Sequence, residues 1–118
     1  MAARNDDPVE VYLHEVAKAQ PLTADEENSL FEQVRRDDDP ESAKRTLIES
    51  KLALVVDIAK RYSSSGLPII ELIQDGNCGL MKAVDTFAEH PTGDFTAHAS
   101  ALIEAAVGQA IAERDSNP

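Results

Sequence analysis

The sequence predicts an all-α fold, a compact bundle of about five helices, on three observations. Apolar residues recur at three- and four-residue intervals over most of the chain, and no stretch alternates as a strand does. Helix punctuation is explicit: an Asp-Pro start, a Thr-x-x-Glu capping box and a glycine stop separate the periodic stretches. Aromatic residues make up only 4% of the chain and tryptophan is absent, so the core must come mostly from Leu, Ile, Val and Ala, as in helical bundles. At 118 residues the chain suits one domain, 1–118, large enough to bury a core without staples. Within it, an N-terminal helical segment is expected over 7–40 and core helices over 41–114.

Each element has a local reason. Asp7-Pro8 reads as an N-cap followed by proline at the first helical position, after which Val9, Tyr12, Leu13 and Val16 keep helical spacing until Pro21. Thr23-Ala-Asp-Glu26 has the form of a capping box, in which the Thr hydroxyl and the Glu carboxylate each satisfy the other's backbone amide. It opens a second helix with Leu30, Phe31 and Val34 inward, ending before Asp37-Asp-Asp-Pro40. The third and longest helix is predicted from about Glu41 to Tyr62, because Leu47, Ile48, Leu52, Val55, Ile58, Ala59 and Tyr62 form one apolar stripe. Ser63-Ser-Ser-Gly66 stops it, with Gly66 suited to a left-handed conformation. Pro68 starts the fourth helix, expected to run to about Phe87. The Asp75-Gly-Asn77 turn signal is read through, with a bend, since Leu72, Ile73, Leu80 and Val84 continue the pattern across it. His90 to Asp94 is a loop, and Thr96 to about Arg114 forms the last helix.

Composition excludes several function classes. Hydrophobic content of 42% and charged content of 28% are those of a folded globular protein. No apolar stretch approaches the roughly 20 residues needed to span a bilayer, and the N-terminus lacks the apolar run of a secretory signal. The single Cys78 fits a reducing cytoplasm and excludes a cysteine zinc cage. The net charge is −11, from 11 basic and 22 acidic residues. Between Asp85 and Pro118 one basic residue, Arg114, faces six acidic ones. Such a surface repels phosphates, whose binding depends on Lys and Arg, and attracts a basic protein.

No catalytic constellation or cofactor site is expected. His14, His90 and His98 fall in separate segments without metal-ligand spacing. Cys78 has no His or basic sequence neighbour to activate it and is read as a semi-buried filler. Asp37 to Asp39 lacks the glycine and terminal glutamate of a calcium loop, and Ser63 to Ser65 lacks phosphate-cradling glycines.

The segment Leu67-Pro-Ile-Ile-Glu-Leu-Ile-Gln-Asp-Gly-Asn-Cys-Gly-Leu-Met-Lys-Ala-Val-Asp-Thr-Phe87 resembles, without gaps, the part of sigma-70-type sigma factors that grips core RNA polymerase. The similarity extends over Asp7 to about Arg114, the family's region 1.2 to region 2. Asp7 to Val16 and Pro21 to Glu27 look like the segment before the main helical domain, and Ala43 to Tyr62 like its first core helix. The resemblance implies that Glu71, Gln74, Asp75, Asn77 and Met81, with Ile70 and Leu80 nearby, meet a basic coiled coil on the clamp of the polymerase β′ subunit. Asp75 stands where the family usually has Glu. The chemistry is sensible in itself, since closely spaced carboxylates and amides on one helix pair well with arginines, beside an adaptable Met.

The last helix departs from the family pattern. Ala101 and Leu102 occupy positions that are typically adjacent tryptophans, His98 that of an aromatic Tyr, Glu104 that of an Arg and Gln109 a basic position. In the first core helix Lys51 and Ala53 replace an Asn and an Arg that commonly face DNA. Stacking on aromatic faces contributes about 1–3 kcal/mol per base, so losing both tryptophans removes several kcal/mol of strand-opening energy. The expectation is therefore a cytoplasmic, non-enzymatic protein that binds core polymerase, with promoter DNA a doubtful partner. Two alternatives remain open. One is a minimal sigma factor binding promoter DNA through Lys44, Arg45, Lys51, Lys60 and Arg61. The other is an interaction or homodimerisation module using the alanine-rich last helix.

Overall fold

The structure, a computed structural model, describes residues 7–116, with side chains through Arg114. Six α-helices and one 3-10 turn occur among the described residues, and no strand. They are α1 (Pro8–Ala17), α2 (Ala24–Arg35), α3 (Pro40–Glu49), α4 (Leu52–Arg61), the turn Ser63–Ser65, α5 (Ile69–Glu89) and α6 (Phe95–Ser116).

The helix starts follow the local chemistry of the sequence. Asp7 Oδ1 accepts from the Val9 amide at 2.9 Å, with Pro8 in the first turn of α1. The box at α2 is complete: the Glu26 amide donates to Thr23 Oγ1 at 3.1 Å and the Thr23 amide to Glu26 Oε1 at 2.9 Å. Asp37 and Asp39 turn the chain with φ of 56° and 49°, a region that Asp tolerates better than most non-glycine residues. Gly66 takes φ 98° after the 3-10 turn, and Asp94 Oδ2 accepts from the Ala97 amide at 3.0 Å to open α6.

The expected single helix over Glu41 to Tyr62 is two helices. Ser50 Oγ donates to the Leu47 carbonyl at 2.7 Å, and Lys51 leaves helical geometry at φ −116°, ψ 9°. Around the break the ladder tightens to three-residue bonds, Lys51 N–H to the Ile48 carbonyl at 3.0 Å and Leu54 N–H to the Lys51 carbonyl at 3.1 Å. Leu47 and Val55 both stay fully buried on either side, so the apolar stripe runs on while the backbone does not. In the opposite sense, α5 is continuous through Asp75-Gly-Asn77.

α5 and α6 form the largest helix pair and run antiparallel. Going down α5, the rings of Phe87 and Phe95 are 5.3 Å apart, and Thr86 meets His98. Further along, Gly79 meets Leu102, Ile103 and Ala106, and Gly76 meets Ile103 and Val107. One core joins this hairpin to the rest, with Leu47, Val55, Ile58, Leu72, Ile73, Leu80, Val84, Ile103 and Val107 essentially inaccessible. Phe31 of α2 closes one end, its ring 5.0 Å from both Phe87 and Phe95. Arg35 ties α2 to the C-terminus of α5, its Nε donating to the Ala88 carbonyl at 2.8 Å, where a cation also meets the negative end of the helix dipole.

Candidate functional site

The 21 residues of α5 divide into two faces. Leu72, Ile73, Gly76, Gly79, Leu80, Ala83, Val84 and Phe87 are buried at helical spacing. Glu71, Gln74, Cys78, Met81, Lys82 and Asp85 are exposed on the opposite stripe, with Asp75 half-buried at its edge. Met81, at 52% exposure, is one of two exposed large hydrophobic residues among those described, the other being Val11 of α1.

The residues singled out from the sequence separate accordingly. Glu71, Gln74, Asp75 and Met81 share the open face. Ile70 is half-buried on its flank, seven residues before Asn77. Leu80 is a correction: it is fully buried and shapes the helix from the core side, so it offers no surface. Asn77 is half-buried, its Nδ2 donating to the Tyr12 hydroxyl of α1 at 3.4 Å while its Oδ1 is enclosed without a donor. Cys78 is a second correction, because it is exposed rather than semi-buried. Its place four residues after Gln74 and three before Met81 is the signal that could have placed it on the open face.

The electrostatics of this face favour a cation. Partial burial, then the neighbouring Glu71 and Glu113 carboxylates, push the Asp75 carboxyl above its ordinary range. A positive group arriving here would relieve that repulsion and draw the pKa back down.

The second set of positions, on α4 and α6, is arranged to satisfy itself. Lys51 turns inward at 17% side-chain exposure, its Nζ 3.3 Å from Glu27 (16%) and 5.8 Å from the Phe95 ring centroid. Arg61 pairs with Glu104 at 3.2 Å, and Lys44 with Asp85 at 3.1 Å. Gln109 Nε2 donates to Glu113 at 3.2 Å. His98 folds against its neighbour helix, with Nε2 2.7 Å from Thr86 Oγ1 and the ring 5.7 Å from Phe87. Thr86 Oγ1 also lies within hydrogen-bond reach of the Ala83 carbonyl, at 3.3 Å, which ties this contact to the α5 backbone. Ala53 and Ala101 are exposed and Leu102 is half-buried. The alanines of α6 divide: Ala99 is buried, whereas Ala97, Ala101, Ala105 and Ala112 face outward. Glu27, the partner of Lys51, was not anticipated, because no local spacing connects α2 to the break between α3 and α4.

Among the described residues no group of three His, Cys, Asp or Glu side chains is placed to hold a metal, and no helix is long and apolar enough to cross a membrane.

Comparison with known proteins gives this arrangement a family. The family model described as "Sigma-70 region 2" matches residues 47–116, and "Sigma-70 factor, region 1.2" matches residues 7–39. RNA polymerase sigma factor SigA of Lactococcus lactis subsp. cremoris is 44% identical over 112 residues, 94% of this chain and 31% of that protein. SigA of a Bacillus species is 42% identical over 109 residues, covering 92% of this chain and 28% of its own length. SigA of Clostridium acetobutylicum is 41% identical over 109 residues with the same coverage, 92% and 28%. The chain thus spans about three-tenths of the length of these relatives. With the two family segments in chain order and the longer one containing all of α4, α5 and α6, the chain belongs to the sigma-70 family.

Proposed function

We propose that this chain docks on core RNA polymerase through the open face of α5, engaging the coiled coil of the β′ clamp, and modulates transcription without opening promoter DNA itself. The observation that carries the reading is the exposed stripe Glu71, Gln74 and Met81 with half-buried Asp75 at its edge, an apolar anchor beside carboxylates and an amide. A basic helical arm can satisfy all of it: arginines pair with Glu71 and Asp75, and its apolar stems cover Met81. The Asp75 carboxyl, held up first by partial burial and then by Glu71 and Glu113, is consistent with the same assignment, since a cation beside it would offset the repulsion part of that cost. Leu80 contributes only by fixing the helix from beneath.

The absence of DNA opening is supported by side chains that are missing and cations that are engaged. Ala101 and Leu102 present no aromatic face, and Glu104 puts a carboxylate at a position where the resemblance implies an Arg. Of the five basic residues that a DNA-binding reading requires, Lys51 is enclosed in an ion pair with Glu27, and Lys44 and Arg61 each stand beside a carboxylate at the surface.

The test is binding of purified core RNA polymerase to the wild-type chain and to a Glu71→Ala/Gln74→Ala double variant, both changes on the exposed face. The double variant is expected to bind at least about tenfold more weakly, the scale of two lost interface hydrogen bonds. Undiminished binding would remove the proposed interface. Permanganate probing of a promoter with core polymerase and this chain alone is expected to show no unpaired thymines, and opening there would refute the second half of the reading.

A further inference from the structure

We propose that α3 supplies a second wall to the docking surface: the basic helical arm lies along the groove between α3 and α5, over Ile48 and Met81 and within reach of Arg45 and Glu49. The inference rests on the polymerase-docking reading above. It adds on which side of α5 the arm lies and what it meets beyond that helix.

Helix geometry gives the side. Successive residues of an α-helix are about 100° apart, which puts Cys78 at the middle of the exposed arc of α5 and Met81 and Asp75 at its edges, about 60° either way. Glu71 stays near the midline, whereas Ile70, Gln74, Asn77 and Met81 all fall on one side of it, about 40° to 100° away. Thr86 falls on the other side, where it meets His98 of α6. Most of the candidate docking residues therefore look away from α6.

The Met81 side is the one that α3 borders. Met81, Val84 and Asp85 of α5 and Ile48, Arg45 and Glu49 of α3 line one open groove of about 600 Å³, and Lys44 of α3 spans it to reach Asp85 at 3.1 Å. Val84 is fully buried and Ile48 half-buried, so the floor is apolar, and Met81 stands beside it at 52% exposure. Met81 thus belongs both to the open stripe and to the groove, and its flexible thioether can follow an apolar stem into it. Packed helices lie about 8–10 Å apart, so an arm seated over Met81 comes within side-chain reach of α3. The charges it meets there are unmatched: Arg45 and Glu49 are exposed and neither has an ion pair. Glu49 attracts a basic arm and Arg45 repels it, so reversing each charge has opposite effects.

Binding of purified core RNA polymerase to single variants tests the second wall. Glu49→Arg is expected to weaken binding and Arg45→Glu to tighten it, each by about threefold or more, as for charges changed inside an interface. Asp57→Arg and Lys60→Glu make the same two charge changes at exposed positions of α4 outside the groove. Screened by salt, each should stay within about twofold of wild type. Equal effects at the α3 and α4 positions, or any other pattern at Arg45 and Glu49, while Glu71→Ala/Gln74→Ala remains impaired, would overturn the second wall and leave docking on α5 intact. Undiminished binding by Glu71→Ala/Gln74→Ala would remove α5 from the interface, and the groove with it. A wild-type chain that does not bind would overturn both.

Discussion

Two glycines in the α5–α6 hairpin make opposite predictions for the same one-methyl change. At Gly79 an added Cβ would lie 2.6 Å from the Leu102 carbonyl oxygen, 3.0 Å from Ala106 Cβ and 3.1 Å from Ile103 Cα. Two of these three atoms are backbone of α6, so relief requires the two helices to separate rather than a side chain to rotate. Over-packing of a tight core is destabilising by about 1–3 kcal/mol, and the obstruction by backbone argues for the upper part of that range. Replacing a helical glycine by alanine returns about 1 kcal/mol of helix propensity. The net expectation for Gly79→Ala is a loss of about 1–2 kcal/mol, from subtracting the second figure from the first. At Gly108 nothing lies within 4 Å of the added atom, so only the propensity gain remains. Its position near the end of α6 reduces that gain to about 0.5–1 kcal/mol.

Thermal denaturation followed by far-ultraviolet circular dichroism reads both changes on one scale. For a chain of this size a change of 1 kcal/mol moves Tm by roughly 4 °C. Gly79→Ala should therefore melt about 4–8 °C below wild type and Gly108→Ala about 2–4 °C above it. Equal stabilisation by both substitutions would mean that helix propensity alone decides, and that α5 and α6 do not approach as closely as the structure has them. Gly79→Leu serves as the extreme case, and a folded, wild-type-like protein there would refute the close approach outright.

Three further outcomes are expected. Thr23→Ala removes half of the capping box at α2 and should lower stability by about 1 kcal/mol in the same denaturation assay, with Thr23→Ser close to wild type. Lys51→Ala breaks the half-buried pair with Glu27 and should destabilise by about 1–2 kcal/mol, between the values for exposed and buried pairs. A double-mutant cycle with Glu27→Ala should return a coupling near 1 kcal/mol, and zero coupling would show the pair to be incidental. Asp75 has a raised carboxyl pKa, so the folded state binds its proton more tightly than the unfolded chain and its ionised form opposes folding. Stability lost through Asp75 near neutral pH is regained as pH falls through the raised value, so Asp75→Asn should stabilise at neutral pH and lose that advantage on acidification. A stabilisation independent of pH, measured by thermal melts across the acid range, would assign the effect to something other than charge.

Local chemistry carried most of the fold into the sequence. Asp7, Thr23, Gly66 and Asp94 each act within a few residues of themselves, and the structure places caps or turns at each of them. The break at Ser50-Lys51 was hidden because periodicity reports which residues face the core, and Leu47 and Val55 face it on both sides. A kink that preserves phase leaves no mark on the apolar pattern. The α5 face was equally legible, since helical spacing separates Glu71, Gln74 and Met81 from Leu72, Ile73 and Val84. Leu80 follows the same rule and belongs with the buried set, so its inclusion came from resemblance and the spacing argued against it. The pairs Tyr12–Asn77, Glu27–Lys51 and Arg61–Glu104 connect residues distant in sequence, and only the packing of helices brings them together.

These long-range pairs bear directly on what the two faces are able to do. A cation serves phosphate binding only if it is free to displace counterions, and one already matched to a carboxylate offers little net gain. Lys51 illustrates the point most sharply, because its ammonium is enclosed between Glu27 and the Phe95 ring and would have to leave both to reach a phosphate. The same ion pair secures the junction where α3 turns into α4 and ties it to α2. Restoring DNA affinity on the proposed reading therefore demands more than adding Trp at 101 and 102. Those rings would share α6 with Glu104, whose carboxylate pairs with Arg61. Glu104→Arg is the change that acts on both terms at once, freeing Arg61 and adding a second positive charge. Combined with Ala101→Trp and Leu102→Trp it should produce salt-dependent binding to single-stranded promoter DNA that neither the tryptophans nor the arginine confers alone. Equal binding by the tryptophan variant without Glu104→Arg, in a titration across salt concentrations, would show that lost stacking rather than lost charge separates this chain from DNA.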